Sequence, residues 1–293
     1  MHLSPSIGQR LTRPRTLGHA ILNGAGMIDY LDFARGLRIS APVGWLDDVR
    51  DLELIRIVEF LPLGGRVLDF GAGTGQQALR LQQLGFEVEA VDLESSPHLE
   101  KRVFPVRTYD GRTLPFPDAH FDAVLSSNVL EHVRELPLAL SELARVLIPG
   151  GLGLHVMPSA SWRLWTTLAE FIAAPRTAFR AVRSRPVGKW AGMARWRWAV
   201  ALAWGVRPFL FRPHGEKGCA LTELWTFSRR AWLRRLAANN CDVARVVPLK
   251  LWYTGEVLLG PRVSMSRRTR LTAWLGSSAI LYVIRTAPRS AGT

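Results

Sequence analysis

The sequence feature that most restricts the fold is RVLDFGAGTGQQ, residues 66–77. Its short apolar run leads into three glycines spaced GxGxG, which are Gly71, Gly73 and Gly75, and a helical pattern follows them. A strand, a glycine turn and a helix in this order are typical of a doubly wound α/β sheet, in which the glycines let the backbone approach a ligand. The same turn could also be a purely structural connection between strand and helix.

Strands and helices are predicted to alternate along the chain. Residues 45–58 place apolar side chains three or four positions apart and predict an amphipathic helix, and Gly85 and Ser228 are suitable caps for two later helices. The other predicted strands are EVEAVD (87–92), FPVRTYD (104–110), HFDAVLSS (120–127), GLGLHVMP (151–158), DVARVVPLKL (242–251) and SAILYVIRTA (278–287). Short apolar strands separated by helices predict a parallel sheet that is covered on both faces.

Positive charge and tryptophan are concentrated in the second half of the chain. Residues 1–158 contain 15 Lys and Arg against 19 Asp and Glu, whereas residues 159–293 contain 23 against 5 and hold ten of the eleven tryptophans. Basic residues interleaved with tryptophan suit an anionic membrane surface or a nucleic-acid backbone. A genome-wide bias towards arginine, which supplies 34 of the 38 basic residues, could explain the amount of charge but not its asymmetry.

The composition disfavours several classes of protein and site. The two cysteines, Cys219 and Cys241, have no metal-ligand spacing, so we expect neither a disulfide framework nor a metal site. The basic N-terminus lacks the apolar core of a signal peptide, and the longest apolar runs, AVALAWGV and AILYVI, are far shorter than the ~20 residues of a membrane span. We therefore expect a cytoplasmic protein without a transmembrane helix.

Asp92 indicates the kind of ligand that the glycine turn would meet. The dinucleotide fingerprint GxGxxG would require a glycine where Gln76 stands, which disfavours a pyrophosphate-binding turn. Asp92 closes the second strand, 23 residues after Asp69, and a carboxylate at this place can accept hydrogen bonds from both hydroxyls of a ribose. An exposed loop aspartate without a role is the alternative.

Four motifs in order resemble those of the class I S-adenosylmethionine-dependent methyltransferases, over about residues 64–158. They are VLDFGAGTG, VDLESS, TYDGRTLPFPDAHFDAVLSSNVLEHV and LARVLIPGGLGLHVMP. The resemblance implies S-adenosylmethionine as the cofactor and a Rossmann-like, doubly wound α/β sheet of seven strands. The last strand would be antiparallel and supplied by SAILYVIRTA.

The resemblance also implies a set of cofactor-binding residues. They are Asp69, Gly71, Gly73, Gly75, Asp92, Leu93, Asp110, Gly111, Ser127 and Asn128. Asp69 and the glycines would hold the methionine portion and Asp92 the ribose. Asp110 and the backbone of Gly111 would meet the adenine, and the pair at the end of the fourth strand would lie near the sulfonium.

Four segments are expected along the chain. They are an N-terminal helical segment (1–62), an S-adenosylmethionine-binding core (63–158), a basic, Trp-rich helical insertion or lid (159–227), and a C-terminal helix with the last two strands (228–293).

Three histidines are candidates for a catalytic base. Methyl transfer depends mainly on alignment of acceptor atom, methyl carbon and sulfur in a site that excludes water, but a hydroxyl acceptor must also lose its proton. The candidates are His132, His155 and His214. His132 could instead be part of the site architecture and His155 a core residue of the fifth strand. His214, which lies beside Glu216 in RPHGEKG, could be a loop residue without a role.

The second half of the chain has a looser resemblance to bacterial methyltransferases that are associated with cell-surface polysaccharide and lipid-linked saccharide assembly. The stretches that carry this resemblance are SWRLWTTLAEF, RPHGEKG, ELWTFSRRAWLRRL and LWYTGEVLLG. We therefore predict methyl transfer to a small-molecule or lipid-linked saccharide acceptor, at oxygen, by an enzyme that also contacts the inner membrane face. The tryptophans could equally pack the insertion onto the sheet.

Two alternative functions remain. An RNA methyltransferase would use the basic half to bind phosphates, although the chain has no recognisable RNA-binding module. A non-catalytic scaffold should have lost cofactor residues, whereas Asp69, Asp92 and Asp110 are all present.

Overall fold

The computed structural model describes residues 45–183, 214–216, 218–254, 259 and 262–286. Its helices are α1 (Trp45–Val58), α2 (Gln76–Gln83), α3 (Leu136–Val146), α4 (Ala160–Arg183), α5 (Ala220–Thr226), α6 (Arg229–Ala238) and α7 (Met265–Leu275). Its strands are β1 (Arg66–Phe70), β2 (Glu87–Leu93), β3 (Arg107–Tyr109), β4 (Phe121–Ser127), β5 (Leu147–Pro158), β6 (Asp242–Pro248) and β7 (Ala279–Arg285). Leu99–Lys101 and Leu130–His132 each form a short 3-10 turn.

These strands form one sheet in the order β3-β2-β1-β4-β5-β7-β6. Strands β1 to β5 are parallel, and β7 is antiparallel to both of its neighbours, β5 and β6. The Rossmann-like α/β fold with seven strands and an antiparallel last strand is therefore confirmed. The strand order reverses between β1 and β4, and in open α/β sheets ligands bind at the carboxyl ends of the strands at such a point.

Apolar side chains cover the sheet on both faces. On one face, Leu143 of α3 and Trp232 of α6 belong to a buried cluster with the strands. On the other face, Ile57 of α1 and Leu81 of α2 do the same. Since both faces are occupied by helices, the carboxyl edge of the sheet is the part of this core at which a ligand can meet the strands.

Helix α1 buries polar side chains that its apolar pattern did not predict. Asp51 accepts two hydrogen bonds from the Arg80 guanidinium, with Nε–Oδ1 and Nη2–Oδ2 distances of 3.0 Å and 2.6 Å. Glu53 accepts from Arg50 Nη1 at 2.7 Å and from the Tyr253 hydroxyl at 3.0 Å. Buried carboxylates need such partners because the loss of hydration is costly. These contacts attach α1 both to α2 and to the C-terminal part of the chain.

The local signals in the sequence are partly confirmed. Ser228 caps α6, since its Oγ accepts from Ala231 N at 3.2 Å, and Gly85 follows α2 with a φ of 90°. Strand β3 is shorter than predicted, and Pro105, which cannot donate a ladder hydrogen bond, lies outside it. Helix α7 was not predicted, because MSRRTRLTAWL has few apolar residues at helical spacing.

The expected insertion, residues 159–227, contains α4 and α5 in its described part. Ser159 stands at its start, where Ser159 Oγ accepts from Trp162 N at 3.0 Å. Residues 184–213 lie outside the described residues, as do residues 1–44 of the predicted N-terminal segment.

The tryptophans of the second half fall into two groups where the structure describes them. Trp232 is buried, and Trp165 packs against Trp252 with a ring-centroid distance of 6.1 Å. Trp225 and Trp274 are 58% and 88% exposed. Packing therefore accounts for the first group but not for the second. Within the described residues, no helix has both the length and the hydropathy that crossing a membrane requires.

Candidate functional site

The glycine loop after β1 has a backbone that only glycine adopts easily. Gly71, Gly73 and Gly75 have φ values of 73°, 56° and 78°, in the left-handed region that is unfavourable for side chains with a Cβ. A Cβ on Gly71 would lie 2.5 Å from Val129 Cγ2, and one on Gly75 would lie 2.7 Å from Phe104 Cβ. The loop is therefore packed closely on one side and can present its backbone on the other.

Asp69 lies at the carboxyl end of β1 and is 2% exposed. Its Oδ2 has no hydrogen-bond partner in the described part of the chain. Burial raises the pKa of Asp69 to about 7, the Ala78 N–H opposes this shift, and the nearby charge of Asp92 adds to it. A ligand that donates hydrogen bonds or carries positive charge would stabilise the ionised form of this carboxyl group.

Asp92, at the end of β2, is hydrogen-bonded to the glycine loop. Its Oδ2 accepts from Gly73 N at 3.1 Å and from Ser96 Oγ at 2.7 Å, and its Oδ1 accepts from Leu93 N at 2.8 Å. The carboxylate therefore lies between the loop and the segment that follows β2. This is the position at which a nucleotide-binding sheet presents an acid to a ribose.

The region after β3 combines a polar turn with an apolar surface. Asp110 Oδ1 accepts from Arg112 N at 2.8 Å and Thr113 N at 3.1 Å, and these N–H groups hold the pKa of Asp110 below its usual value. Gly111 has a φ of 83°, and a Cβ there would lie 3.1 Å from Leu93 Cδ2. Leu93 is exposed, so it offers an apolar surface beside Gly111 that a flat aromatic ring could cover.

Asn128 connects the end of β4 to α1. It has a φ of 56°, and its N–H donates to Val156 O at 2.9 Å. With its amide oxygen oriented towards Arg50, Asn128 accepts from Nη1 at 2.6 Å and from Nη2 at 3.2 Å. In the other amide orientation, Nδ2 donates to Ser127 Oγ at 3.2 Å. Arg50 was not predicted from the sequence as a residue of this site.

A second polar cluster, which we call the histidine cluster, consists of Glu131, His132 and His214. The two imidazole rings are 5.0 Å apart between centroids. Glu131 Oε1 lies 3.9 Å from His132 Nε2 and 4.0 Å from His214 Nε2. Trp162 packs on His214 with a centroid distance of 4.5 Å. Two of the three predicted base candidates are therefore neighbours in space, although 82 positions separate them in the sequence.

Burial shifts the pKa of every member of the histidine cluster towards its neutral form. It raises the pKa of Glu131 to about 8, against the opposing effects of the Glu131 backbone N–H and Arg50. It lowers the pKa of His214 to about 4, assisted by His132 in its protonated form and by the positive charges of Arg163 and Arg50. It also lowers the pKa of His132. Near neutral pH the two imidazoles are consequently uncharged, and each can accept a proton or act as a ligand.

Glu223 holds the backbone around His214 in place. Its Oε1 accepts from His214 N and from Gly215 N, each at 2.7 Å, and its Oε2 lies 2.9 Å from Arg163 Nε. Both members of this ion pair are buried. The pair joins the loop of His214 to α4 and α5, so the position of the His214 ring depends on the insertion.

His155 is placed differently from the other two candidates. It is 2% exposed, it lies within β5, and its Nδ1 is 2.8 Å from Ser126 Oγ on the neighbouring strand. Burial lowers the pKa of His155 to about 4. This geometry matches the core alternative for His155, and the histidine does not join the histidine cluster.

Several residues of this region were not predicted from the sequence. They are Arg50, Glu131, Trp162, Arg163 and Glu223. One signal was available for Glu223, because acidic residues are rare in this part of the chain. Residues 159–293 contain only five, and Glu223 is one of them. Glu131 stands next to His132 in LEHV, but nothing in that motif shows that its carboxyl group is buried.

Comparisons with known proteins agree with the fold and the glycine loop. A family model described as a methyltransferase domain matches residues 68–154. An uncharacterized methyltransferase of Mycobacterium sp. strain KMS is 34% identical over 214 residues, which cover 68% of this chain and 72% of the relative. A demethylmenaquinone methyltransferase of Thermus thermophilus is 34% identical over 127 residues, 40% of this chain and 55% of the relative.

A solved structure shows the same fold over most of the chain. It is the complex between the Haloferax volcanii Trm112 methyltransferase activator and a methyltransferase, which matches with a TM-score of 0.50 and 14% identity. The match covers 85% of this chain and 93% of that chain.

The residues at the carboxyl edge of the sheet fit the cofactor of this fold. The glycine loop has a left-handed backbone with no room for a Cβ at Gly71 or Gly75, Asp69 has an unpartnered buried oxygen, and Asp92 presents a carboxylate. With the sequence relatives, the strand order and this fit in agreement, the chain belongs to the class I S-adenosylmethionine-dependent methyltransferases.

Proposed function

We propose that this methyltransferase transfers the methyl group to a hydroxyl oxygen of a small-molecule or lipid-linked saccharide acceptor that contacts the histidine cluster. The observation that supports this proposal is the presence of two neutral imidazoles and a buried carboxyl group just after β4. Strand β4 ends at the topological switch point, where an acceptor must approach the cofactor. A hydroxyl acceptor needs a proton acceptor at that place.

We further propose the cofactor contacts that the resemblance implied. Asp69 and the glycine loop bind the methionine portion, and Asp92 accepts hydrogen bonds from the ribose. Leu93, Asp110 and Gly111 surround the adenine, and Ser127 and Asn128 lie near the sulfonium. The apolar surface of Leu93 and the unpartnered oxygen of Asp69 support these assignments.

When bound, S-adenosylmethionine supplies an electrophilic methyl group on its sulfonium. In the proposed mechanism, His214 orients the acceptor hydroxyl and accepts its proton as the oxygen gains the methyl group. His132 lies beside His214 and shares this task. Glu131 Oε1 lies 4.0 Å from His214 Nε2, where the carboxyl group in its ionised form would stabilise the imidazolium that forms. Trp162 and Phe227 pack on His214, with centroid distances of 4.5 Å and 6.2 Å, and help to exclude water.

Residues 159–227 are proposed to act as a lid over the acceptor, next to the cofactor-binding core (63–158). Trp162 and His214 both belong to this segment and lie together at the histidine cluster. The buried ion pair of Arg163 and Glu223 joins the two ends of the same segment. Closure of the segment would complete the site and shield it from water.

A labelling experiment tests the acceptor class. The purified protein is incubated with methyl-labelled S-adenosylmethionine and host lysate, which is then separated into lipid, glycan, RNA, protein and small metabolites. We expect label in the lipid, glycan or small-metabolite fraction, because the name of the Thermus relative refers to a small-molecule acceptor and the basic half suits a lipid surface. Label in RNA alone would refute this acceptor class.

The variant His214→Ala is the internal control for the proposed base. We expect it to bind the cofactor as the wild type does and to transfer less label, because it keeps the glycine loop and loses the proton acceptor. His120→Ala is a matched control, since it removes an imidazole that also lies beside a carboxylate, 2.9 Å from Glu89 Oε1. Equal transfer by all three proteins would exclude His214 as the base.

We also propose that the enzyme is cytoplasmic and contacts the anionic inner face of the membrane. Helix α6 exposes Arg229, Arg230 and Arg234, and Trp225 and Trp274 are largely exposed. Arginine and tryptophan together suit the headgroup region of an anionic bilayer.

Vesicle sedimentation tests the membrane proposal. We expect the protein to sediment with vesicles that contain anionic lipid and not with neutral vesicles, because each basic residue near an anionic surface contributes about 1 kcal/mol. The double variant Trp225→Ser and Trp274→Ser should sediment less. Leu63→Ser is the matched control, since Leu63 is also exposed but lies in the acidic half. Equal partition of the wild type between the two vesicle types would contradict the proposal.

A further inference from the structure

We propose that Glu131, His132 and His214 together bind one divalent transition-metal ion. Each residue offers one ligand atom, and the three atoms lie within 4.8 Å of one another. The sequence did not predict this site, because its cysteines lack metal-ligand spacing and the histidines are far apart along the chain. The fold brings the ligands together through the turn after β4 and the end of the insertion.

The carboxyl group of Glu131 independently supports a cation-binding site. Its side chain is 0% exposed, and neither carboxyl oxygen accepts a hydrogen bond from another of the described residues, so that only its own backbone N–H acts on it directly. A buried carboxyl group without partners is unfavourable, and proteins usually pair it or use it to coordinate a metal. Its Oε1 is close to both imidazoles, so an ion placed between the three side chains would satisfy it.

The geometry requires only small side-chain movements. A transition-metal ion binds imidazole nitrogen and carboxylate oxygen at about 2.0–2.2 Å, so ligand atoms around it are separated by roughly 3.0–3.5 Å. The distances from Glu131 Oε1 to the two Nε2 atoms are 3.9 Å and 4.0 Å. The side chains of His132 and His214 are 43% and 36% exposed. An ion can therefore enter from solvent, and a coordination position remains for another ligand.

The charges around the histidine cluster are balanced in pairs. Arg50 and Arg163 both influence the cluster electrostatically, and a bare guanidinium would oppose a second cation. Arg50 is paired with Glu53 at 2.7 Å, and Arg163 is paired with Glu223 at 2.9 Å. Glu223 also fixes the backbone of His214 through two hydrogen bonds, which positions this ligand before the ion binds.

The ligand set indicates which ions would bind. Two imidazole nitrogens and one carboxylate oxygen suit zinc, cobalt, manganese or iron, whereas magnesium prefers oxygen ligands alone. The role of the ion rests on the proposed function. With the ion bound, His214 would be a ligand, and the ion would take over the task of the base. It would coordinate the acceptor hydroxyl and lower its pKa, the proton would be released to solvent, and the resulting oxygen would be a stronger nucleophile.

Calorimetric titration of the full chain with Zn²⁺ or Co²⁺, without cofactor or acceptor, tests the binding. We expect one ion per chain in the wild type and a loss of affinity of at least about 10-fold in Glu131→Gln, His132→Ala and His214→Ala. Visible absorption of bound Co²⁺ should disappear in the same variants. Mg²⁺ should bind far more weakly than either ion.

The controls separate loss of the site from loss of the fold. Thermal unfolding of each variant is measured without metal. His132→Ala truncates a partly exposed side chain, so it still tests the site if a substitution at a more buried ligand unfolds the protein. His120→Ala should bind Zn²⁺ as the wild type does. No binding, or equal binding by the three ligand variants, would overturn the proposal. Label transfer that persists in chelator without bound metal would refute the role of the ion and leave the proposed acceptor class standing.

Discussion

Replacement of Asp92 by alanine is expected to weaken S-adenosylmethionine binding by at least about 100-fold while the protein stays folded. In our proposal the carboxylate accepts hydrogen bonds from both ribose hydroxyls. Hydrogen bonds to a charged group contribute about 1.5–3 kcal/mol each, and 1.4 kcal/mol corresponds to a tenfold change in Kd. The variant also releases Gly73 N and Ser96 Oγ, which loosens the glycine loop.

Calorimetry with S-adenosylmethionine measures this effect directly. Glu94→Ala is the matched control, because Glu94 is an exposed carboxylate two residues further along the same segment. We expect its Kd to equal that of the wild type. Circular dichroism should show both variants folded. An unchanged Kd in Asp92→Ala would remove Asp92 from the cofactor site.

Replacement of Gly71 by alanine is expected to destabilise the protein by about 2–5 kcal/mol and to reduce cofactor binding. The left-handed backbone, with a φ of 73°, costs about 1–2 kcal/mol for a residue with a Cβ. The added methyl would lie 2.5 Å from Val129 Cγ2 and 2.6 Å from Val129 Cγ1, and overpacking of this kind costs about 1–3 kcal/mol. Denaturant unfolding and calorimetry measure the two effects.

Two further variants separate the causes of this loss. Gly85→Ala tests backbone strain alone, because Gly85 has a φ of 90° and a Cβ there would have no atom within 4 Å. We expect it to cost about 1 kcal/mol and to leave cofactor binding unchanged. Adding Val129→Ala to Gly71→Ala should restore part of the lost stability. If Gly71→Ala lowers the free energy of unfolding no more than Gly85→Ala does, the contact with Val129 does not contribute to the loss of stability.

The cofactor-binding core (63–158) could be predicted well from short motifs. The motif around Gly71 gave the expected strand, turn and helix, and Asp92 lies at the end of β2 as its position in VDLESS indicated. The family, the fold and the cofactor are confirmed. These signals are local: a glycine at a positive φ and an acid at a strand end are both encoded within a few residues.

The histidine cluster, where we propose that the acceptor binds, could be predicted only in part. His132 and His214 were candidates, but their contact with each other, and with Glu131, depends on the path of the insertion. The shift in the pKa of Glu131 is equally invisible in the sequence, because it is caused by burial. Helix α7 and the buried carboxylates of α1 were missed for the related reason that apolar periodicity does not report paired polar groups.

The sequence by itself determined the succession of the seven strands along the chain, the glycine loop and the acid at the end of β2, because these depend on residues close together in the chain. Only the tertiary structure decided which polar side chains meet beside the end of β4. Arg50 reaches Asn128, and Glu131 reaches His214, across 78 and 83 positions of sequence. Such contacts are determined by tertiary packing. Packing also removes water from these side chains, and this desolvation shifts the pKa values on which the proposed acceptor site depends.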